Sequence, residues 1–533
     1  MTDMFQALAF DFAHLPAGWP LMLAGALSAA FALPIAARNI GWVGLIASLW
    51  FLFLDGAAPV LSPLDGALAL AFHLVAAAGL LFARPVDGAP QDRAAVSCGL
   101  IAAGAGAAAI ASTSLPALMI WTEVIAIASA LIIMAGGTIE AVRGGLAYLL
   151  LQVLAGVLLL LGIVYGLGTE TAGVLILIGL GIKAALPPVH GWLIKGYSTA
   201  SPTGSIFLSA FATKIAILGM VRFLPGTEVL IWFGLAMAVG GVLPTLFEAN
   251  WRRLLAWAVV SQLGVMVVGV GLGTEEALAG VVLLAIGHVI YATMLFVVAG
   301  VMERAGKAAP RGLGLLVFVS MLSIGLPGLA GYAGKAVIGE ALIHHGMAWA
   351  DYVIVAVGAL VFATAGLRPL VERCRPSGPG ATNPTAVSGR DVAATLILLA
   401  GSIGVGAFGF RLSGHFEAAF HVGPLVVQAV ALAAVIVFMA TGLRRLLPQG
   451  QGALDFLAVP WGRWVTGTLD LAIPLGNIFV RLGEEFVAMF GQAGRLGGRA
   501  VLGLARFVTY GGVGDGVLWT LALLTVVLIV SFG

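Results

Sequence analysis

The sequence predicts an all-α polytopic membrane protein, and three observations carry that expectation. The 533 residues are 61% hydrophobic and only 9% charged, against about 25% charged in soluble globular chains. The apolar residues gather into runs of roughly 20, the length at which a helix crosses the hydrocarbon of a bilayer. Basic residues are confined almost entirely to every second connection between those runs.

Taken in order, the runs lie near 18–36, 39–56, 64–83, 94–112, 115–136, 144–167, 172–193, 203–223, 228–247, 253–273, 277–301, 313–342, 352–371, 391–410, 424–443 and 515–532. The seventh and twelfth contain Pro187-Pro188 and Gly325-Leu326-Pro327-Gly328, so both are expected to be broken rather than continuous. The connections after odd-numbered helices hold Arg38, Arg84, Arg93, Arg143, Lys195, Arg252, Arg253, Arg304, Lys307, Arg311, Arg368, Arg373, Arg375, Arg390, Arg444 and Arg445. Those after even-numbered helices hold only Arg222 and Arg411. The odd connections are therefore expected in the cytoplasm and the N-terminus outside, in a prokaryotic inner membrane.

This divides the chain into helices 1–3 (residues 1–93), a five-helix unit at 94–223 and a second at 228–371, each with its broken helix in fourth place. An odd number of helices per unit inverts one relative to the other, the arrangement of many secondary transporters. A Pro/Gly/Ser-rich cytoplasmic loop follows at 372–390, then helices 14 and 15 within 391–447. About fourteen helices form the expected core, with C-terminal spans beyond it.

Residues 455–510 read differently. Arg463, Asp470, Arg481, Glu484, Glu485, Arg495, Arg499 and Arg506 fall within an arc of about 100° on a helical projection. Such a stripe fits a lateral amphipathic helix along the cytoplasmic face, about 65 Å long if continuous. Pro474 and several glycines favour a kink, and two short amphipathic pieces on the lipid surface are the alternative. The last helix, 515–532, then crosses outward.

Five ionisable residues inside apolar runs stand out: Glu123, Lys183, Lys214, His288 and Lys335. An intramembrane charge costs several kcal/mol on insertion scales and marks a functional site by default. Singly, each has a plainer explanation. The lysines can snorkel from helix ends, His288 can be a hydrogen-bonded core histidine, and Glu123 needs a partner or would neutralise. Together, one acid, three lysines and one histidine can form a chain through the bilayer. Burial disfavours an ammonium and a nearby carboxylate favours it, so a lysine whose glutamate approaches and retreats can load and release a proton. An imidazole already titrates near neutrality. Broken helices free backbone carbonyls, tolerated at membrane depth only where protein or water satisfies them.

The ordered motifs resemble those of the antiporter-like proton-translocating family: the D and A components of Mrp antiporters, the antiporter-like subunits of respiratory complex I, and their counterparts in membrane-bound hydrogenases. Trp121-Thr122-Glu123 is similar to that family's W-E on its fifth helix. Lys183, Pro188, His190, Trp192 and Leu193 match its K-x-x-x-x-P-x-H-x-W-L. Ser201–Lys214, SPTGSIFLSAFATK, stands where the family has a P-T-P-V-S-A-like turn before a lysine. Arg252–Gly264, RRLLAWAVVSQLG, resembles K-R-L-L-A-Y-S-S-I-S-Q-x-G. His288 with Leu295-Phe296 and Gly325–Lys335 complete the set, which covers roughly residues 110–340.

The resemblance implies that Glu123 modulates Lys183, that Lys214 bridges laterally with His288 toward the second unit, and that Lys335 leads to the external side. It also implies neighbouring membrane subunits, clamped by the lateral helix at 455–510, in an Mrp-, complex I-, hydrogenase- or carbon-uptake-type assembly. The transported ion is H⁺, with Na⁺ or K⁺ as alternative coupled ions. The chain departs from the family at Ala292, where many members have lysine, and at Lys195, Asn250, Thr203 and Gly204. Ala292 keeps a second reading open: a non-conducting structural subunit that retained the fold.

Other classes find no support. No nucleotide, flavin, haem or metal-ligand motif is visible, so no cofactor is expected and any redox chemistry belongs to partner subunits. Cys98 and Cys374 form no CxxC pattern or disulfide framework. The net charge of +2 gives no sign of a nucleic-acid partner, and the acidic N-terminus argues against a cleaved signal peptide.

Overall fold

The computed structural model describes residues 18–30, 34–53, 61–84, 90–305, 313–367 and 387–414, with the isolated positions 426, 429, 433 and 437. Every regular element among them is helical. Apart from those four positions, the run at 424–443 lies outside the described residues. So do the lateral segment at 455–510, the last helix at 515–532 and most of the loop at 372–390.

The first six helices are α1 (Trp19–Ala30), α2 (Pro34–Phe53), α3 (Pro63–Phe82), α4 (Pro90–Ala111), α5 (Leu115–Met134) and α6 (Ile139–Tyr165). Their ends follow from local chemistry. The side chains of Ser62, Ser114 and Thr138 accept the backbone N–H of Asp65, Ala117 and Ala141, satisfying donors that a helix start leaves open. The expected seventh span is broken, into α7 (Glu170–Lys183) and α8 (Gly191–Thr199), with the cis Pro187–Pro188 peptide between. The twelfth is broken into α14 (Leu313–Leu322) and α15 (Ala330–His344).

The eighth is interrupted as well, which the sequence does not announce. Helix α9 (Pro202–Leu208) stops before Ser209, and α10 (Ala212–Phe223) resumes after Phe211. The remaining elements are α11 (Val229–Val242) with a 3₁₀ turn at Leu243–Leu246, α12 (Trp251–Leu272), α13 (Glu275–Ala305), α16 (Ala348–Val361) with a π turn at Phe362–Leu367, and α17 (Gly389–Ser413). A capping box closes the start of α17, where Ser388 and Asp391 satisfy each other's backbone N–H.

Ten helical stretches among the described residues are long and apolar enough to cross a membrane. The other expected spans that fall on described residues coincide with α1, α2 and the two broken pairs α7/α8 and α14/α15. Helices α12 and α13 form the centre, buried over the whole of their apolar windows, as expected of helices that are hydrophobic all round. Small residues bring α11 and α12 together: a β-carbon on Gly234 would lie 2.6 Å from Val268 N. Ser261 Oγ adds an interhelical bond to the Ala238 carbonyl, 2.7 Å away.

Candidate functional site

Lys183 is the last residue of α7, and the helix ends there in a Schellman closure. The Leu186 N–H reaches the Gly181 carbonyl at 2.9 Å and the Ala185 N–H reaches Ile182 at 3.1 Å. That closure needs a left-handed residue, and Ala185 supplies it at φ 61°. Glycine would adopt this conformation without steric cost, so a non-glycine here stores strain. The closure stops the helix and leaves the lysine side chain in the protein interior.

There, Lys183 Nζ donates to Glu123 Oε1 of α5 at 2.7 Å and to Gln152 Oε1 of α6 at 3.5 Å. Lys183 is only 2% exposed, so the snorkelling explanation does not apply to it. The carboxylate occupies room left by Gly156, where a β-carbon would stand 2.8 Å from Glu123 Cδ. Across the break, the Trp192 indole N–H donates to the Ile182 carbonyl at 3.1 Å, and Tyr148 meets the Trp192 ring edge-on at 5.0 Å. A buried pair of this kind is mutually dependent: removing one partner leaves an uncompensated charge costing about 3–5 kcal/mol.

Lys214 is wholly buried, near the start of α10. Its Nζ donates to the Ser209 carbonyl at 2.6 Å, one of the backbone groups freed by the interruption. Ser209 Oγ lies 3.0 Å from Thr293 Oγ1 on α13, the helix that carries His288. His288 is buried against Tyr291, edge-on at 5.1 Å, and its Nδ1 has no hydrogen-bond partner among the described residues. Tyr291 donates to Gln262 Oε1 of α12 at 3.3 Å.

Lys335 lies on α15, just past the second break, and its Nζ donates to the Ile324 carbonyl at 3.3 Å. It lines a cavity of about 40 Å³ together with Tyr332, Glu340, Asp351 and Gly358, roomy enough for a water molecule. Helix α13 reaches this region through Gly287, where a β-carbon would stand 2.8 Å from the Ala330 carbonyl carbon.

The five residues expected from sequence thus fall into one directly bonded pair, Glu123–Lys183, and three further positions. No direct hydrogen bond joins Lys214, His288 and Lys335 among the described residues; Ser209 and Thr293 link the Lys214 site to α13, and Tyr291 beside His288 links α13 to Gln262 of α12. Sequence reading missed Gln152, which carries no charge, and Glu340 and Asp351, which sit near expected helix ends where acids are ordinary. It also missed Arg252, 6% exposed, which binds Glu303 at 2.8 Å, Ser205 Oγ at 3.3 Å and the Ala200 carbonyl.

Residues 166–363 match the family model described as NADH:quinone oxidoreductase/Mrp antiporter, TM. Over that segment, less than half of its length, the chain is similar to antiporter-like membrane subunits of this type. Among its relatives, the D component of the Na(+)/H(+) antiporter of Alkalihalophilus pseudofirmus is 29% identical over 289 residues, covering 46% of this chain and 57% of that protein. The match therefore spans little more than half of that relative. The N component of the NADH-quinone oxidoreductase of Desulforudis audaxviator is 27% identical over 352 residues, 57% of this chain and 70% of that protein. Among solved structures, a chain of the Mrp complex from Dietzia sp. superposes with a TM-score of 0.66 at 20% identity, covering 91% of this chain and 63% of that one. A chain of respiratory complex I from Thermus thermophilus gives 0.61 at 20% identity, covering 77% and 99%. These likenesses establish an antiporter-like fold, and Lys183 and Lys335 both lie within the matched segment.

Proposed function

We propose that this chain is a proton-translocating subunit of a multisubunit membrane complex, moving H⁺ along Glu123, Lys183, Lys214, His288 and Lys335. Na⁺ or K⁺ is the alternative coupled ion. The observation that carries the proposal is the Lys183–Glu123 pair, at 2.7 Å in apolar surroundings beside a helix break. An ammonium that loses its carboxylate there faces a desolvation cost of several kcal/mol, which giving up the proton removes. Approach and retreat of Glu123 therefore load and unload Lys183. Lys214, on the carbonyl of a second break, is the next acceptor, and the hydroxyls of Ser209 and Thr293 lead from it to the helix of His288.

In this reading, residues 94–223 and 228–371 are inverted five-helix units. Corresponding helices have corresponding neighbours: α4–α5, α5–α6 and α6–α7 pack together in the first, and α11–α12, α12–α13 and α13–α14 in the second. The cytoplasmic assignment of the odd connections is supported by a charged cluster drawn from three of them, in which Arg84 and Arg304 both reach Asp391 at 3.3 Å. The partners are membrane subunits of an Mrp-, complex I-, hydrogenase- or carbon-uptake-type assembly, and the relatives' names support membrane partners of that kind. The basic residues of the odd connections favour an N-terminus outside.

Ala292 favours the second reading, a structural subunit without conduction, because its methyl group is buried on α13 where the resemblance leads one to expect a lysine. Proton flux in vesicles decides between them. Lys183→Ala or Glu123→Ala is expected to abolish coupled transport; unchanged transport eliminates the relay.

A further inference from the structure

Lys183 is held by a carboxylate, whereas Lys335 is held by a backbone carbonyl and opens on a largely apolar cleft that contains two acids. That cleft lies between α15 and α16. Tyr332, Ala336, Glu340 and Ile343 line one wall and Asp351, Ile354, Val355 and Gly358 the other, each set at the three-to-four-residue spacing of a single helix face. From Lys335 to Ile343, α15 rises about 12 Å, and α16 runs about 10 Å from Gly358 back to Asp351. The cleft thus extends from the broken helix to the turn joining the two helices.

Two acids converge in its outer half. Asp351 lies against Gly339, where a β-carbon would stand 3.1 Å from Asp351 Cγ, and Glu340 is the next residue on α15. Asp351 is 3% and Glu340 8% exposed. Both therefore sit little more than one helical turn beyond Lys335. Gly358 leaves the lysine its space at the inner end, a β-carbon there standing 3.7 Å from Nζ. Toward the outer end, His344 at the close of α15 reaches Glu276 of α13 at 3.1 Å. Two buried carboxylates in the membrane part of a protein are costly unless they serve one another or a cation, and here a lysine and two acids line one cavity.

We infer that Glu340 and Asp351 carry protons between Lys335 and the outer surface, with the α15–α16 cleft as the outlet. The inference rests on the relay proposed above and on its orientation. In the outward step the Lys335 N–H bond breaks and an O–H bond forms on Glu340, converting ammonium and carboxylate to amine and acid. The proton passes to Asp351 and then to external water, and the amine is reloaded from the inner side.

The test uses the full chain in the membrane complex it purifies with, reconstituted in liposomes with an internal pH dye. Glu340→Gln and Asp351→Asn are each expected to lower flux at least ~10-fold, in the range of lost proton-transfer groups. The double variant should be no worse than the more severe single one, because both act on one path, and Asp351→Glu should recover part of the flux. Double-variant flux within about twofold of wild type overturns the outlet. Lys183→Ala in the same preparation separates the two ideas: if it abolishes flux while the double variant conducts, only the outlet fails. If neither substitution matters, the relay itself fails. Independently of any charge removal, Val355→Cys in a background lacking Cys98 and Cys374 should react with a membrane-impermeant thiol reagent from outside. Labelling only from inside, or from neither side, overturns the outlet.

Discussion

Trp192 and Ile182 are joined across the first helix break by an indole-to-carbonyl hydrogen bond of 3.1 Å, which fixes α8 to the end of α7 immediately beside Lys183. Trp192 is therefore a strut as well as a buried ring. Trp192→Phe keeps most of the apolar contact but leaves the Ile182 carbonyl without this donor. The expected loss is about 1–2 kcal/mol, read as a lowered unfolding midpoint in detergent, with reduced flux. An unchanged midpoint would show that the strut holds nothing.

Gly156 gives the Glu123 carboxylate its place. Gly156→Ala should displace that carboxylate and cut proton flux by about tenfold or more. Gly173→Ala, where a β-carbon meets nothing within 4 Å, should leave flux alone and gain up to about 1 kcal/mol of helix propensity. The comparison separates loss of space from loss of glycine.

Ala185 holds a left-handed conformation at φ 61° that costs an L-residue about 1–2 kcal/mol. Ala185→Gly should raise the thermal midpoint, the relief of strain exceeding the added freedom of the unfolded chain. A lowered midpoint would mean that the alanine methyl makes contacts worth more than the strain.

The interval between Lys214 and Lys335 contains a phenol bonded to an amide, Tyr291 to Gln262 at 3.3 Å. If protons cross there without a lysine at position 292, Tyr291→Phe should slow flux several-fold while changing stability by only about 1 kcal/mol. Full flux in this variant would take Tyr291 out of the path.

At the exposed C-terminal end of α15, Glu276 raises the His344 pKa above its ordinary 6.5, through a hydrogen bond and opposite charge. A raised folded-state value stabilises the fold fully below the unfolded value and loses its effect as pH rises through the folded one. The unfolding midpoint should therefore fall slightly as pH climbs past 6.5. The fall should be weaker in His344→Gln and in high salt, because the exposed pair is screened.

How much of this was legible in the sequence depended on whether the signal was covalent or tertiary. Pro187-Pro188 and the Gly325–Gly328 segment announce their breaks because proline removes a donor and glycine tolerates the turn. The interruption at Ser209–Phe211 has neither residue; Lys214 meets the Ser209 carbonyl there, a contact that no local pattern encodes. Glu123 and Lys183 stood out as charges within apolar runs, and the structure pairs them. Glu340 and Asp351 did not, since acids near helix ends are commonplace until two helix faces are seen to meet. Gln152 was hidden by its neutrality.

Arg252 has a wider consequence. Its guanidinium grips the Ala200 carbonyl and Ser205 of α9 while holding Glu303 of α13, a task for which a fork of several donors is suited and a single ammonium is not. Carriers built from repeats commonly work by rocking one half against the other, and that requires the seam between the halves to part. In the two-unit reading proposed above, that seam is crossed by Arg252 and by the Ser209–Thr293 hydroxyl bond and backed by two helices buried along their length. Charge would then cross a stationary frame, with the motion left to side chains, water and the three interrupted helices.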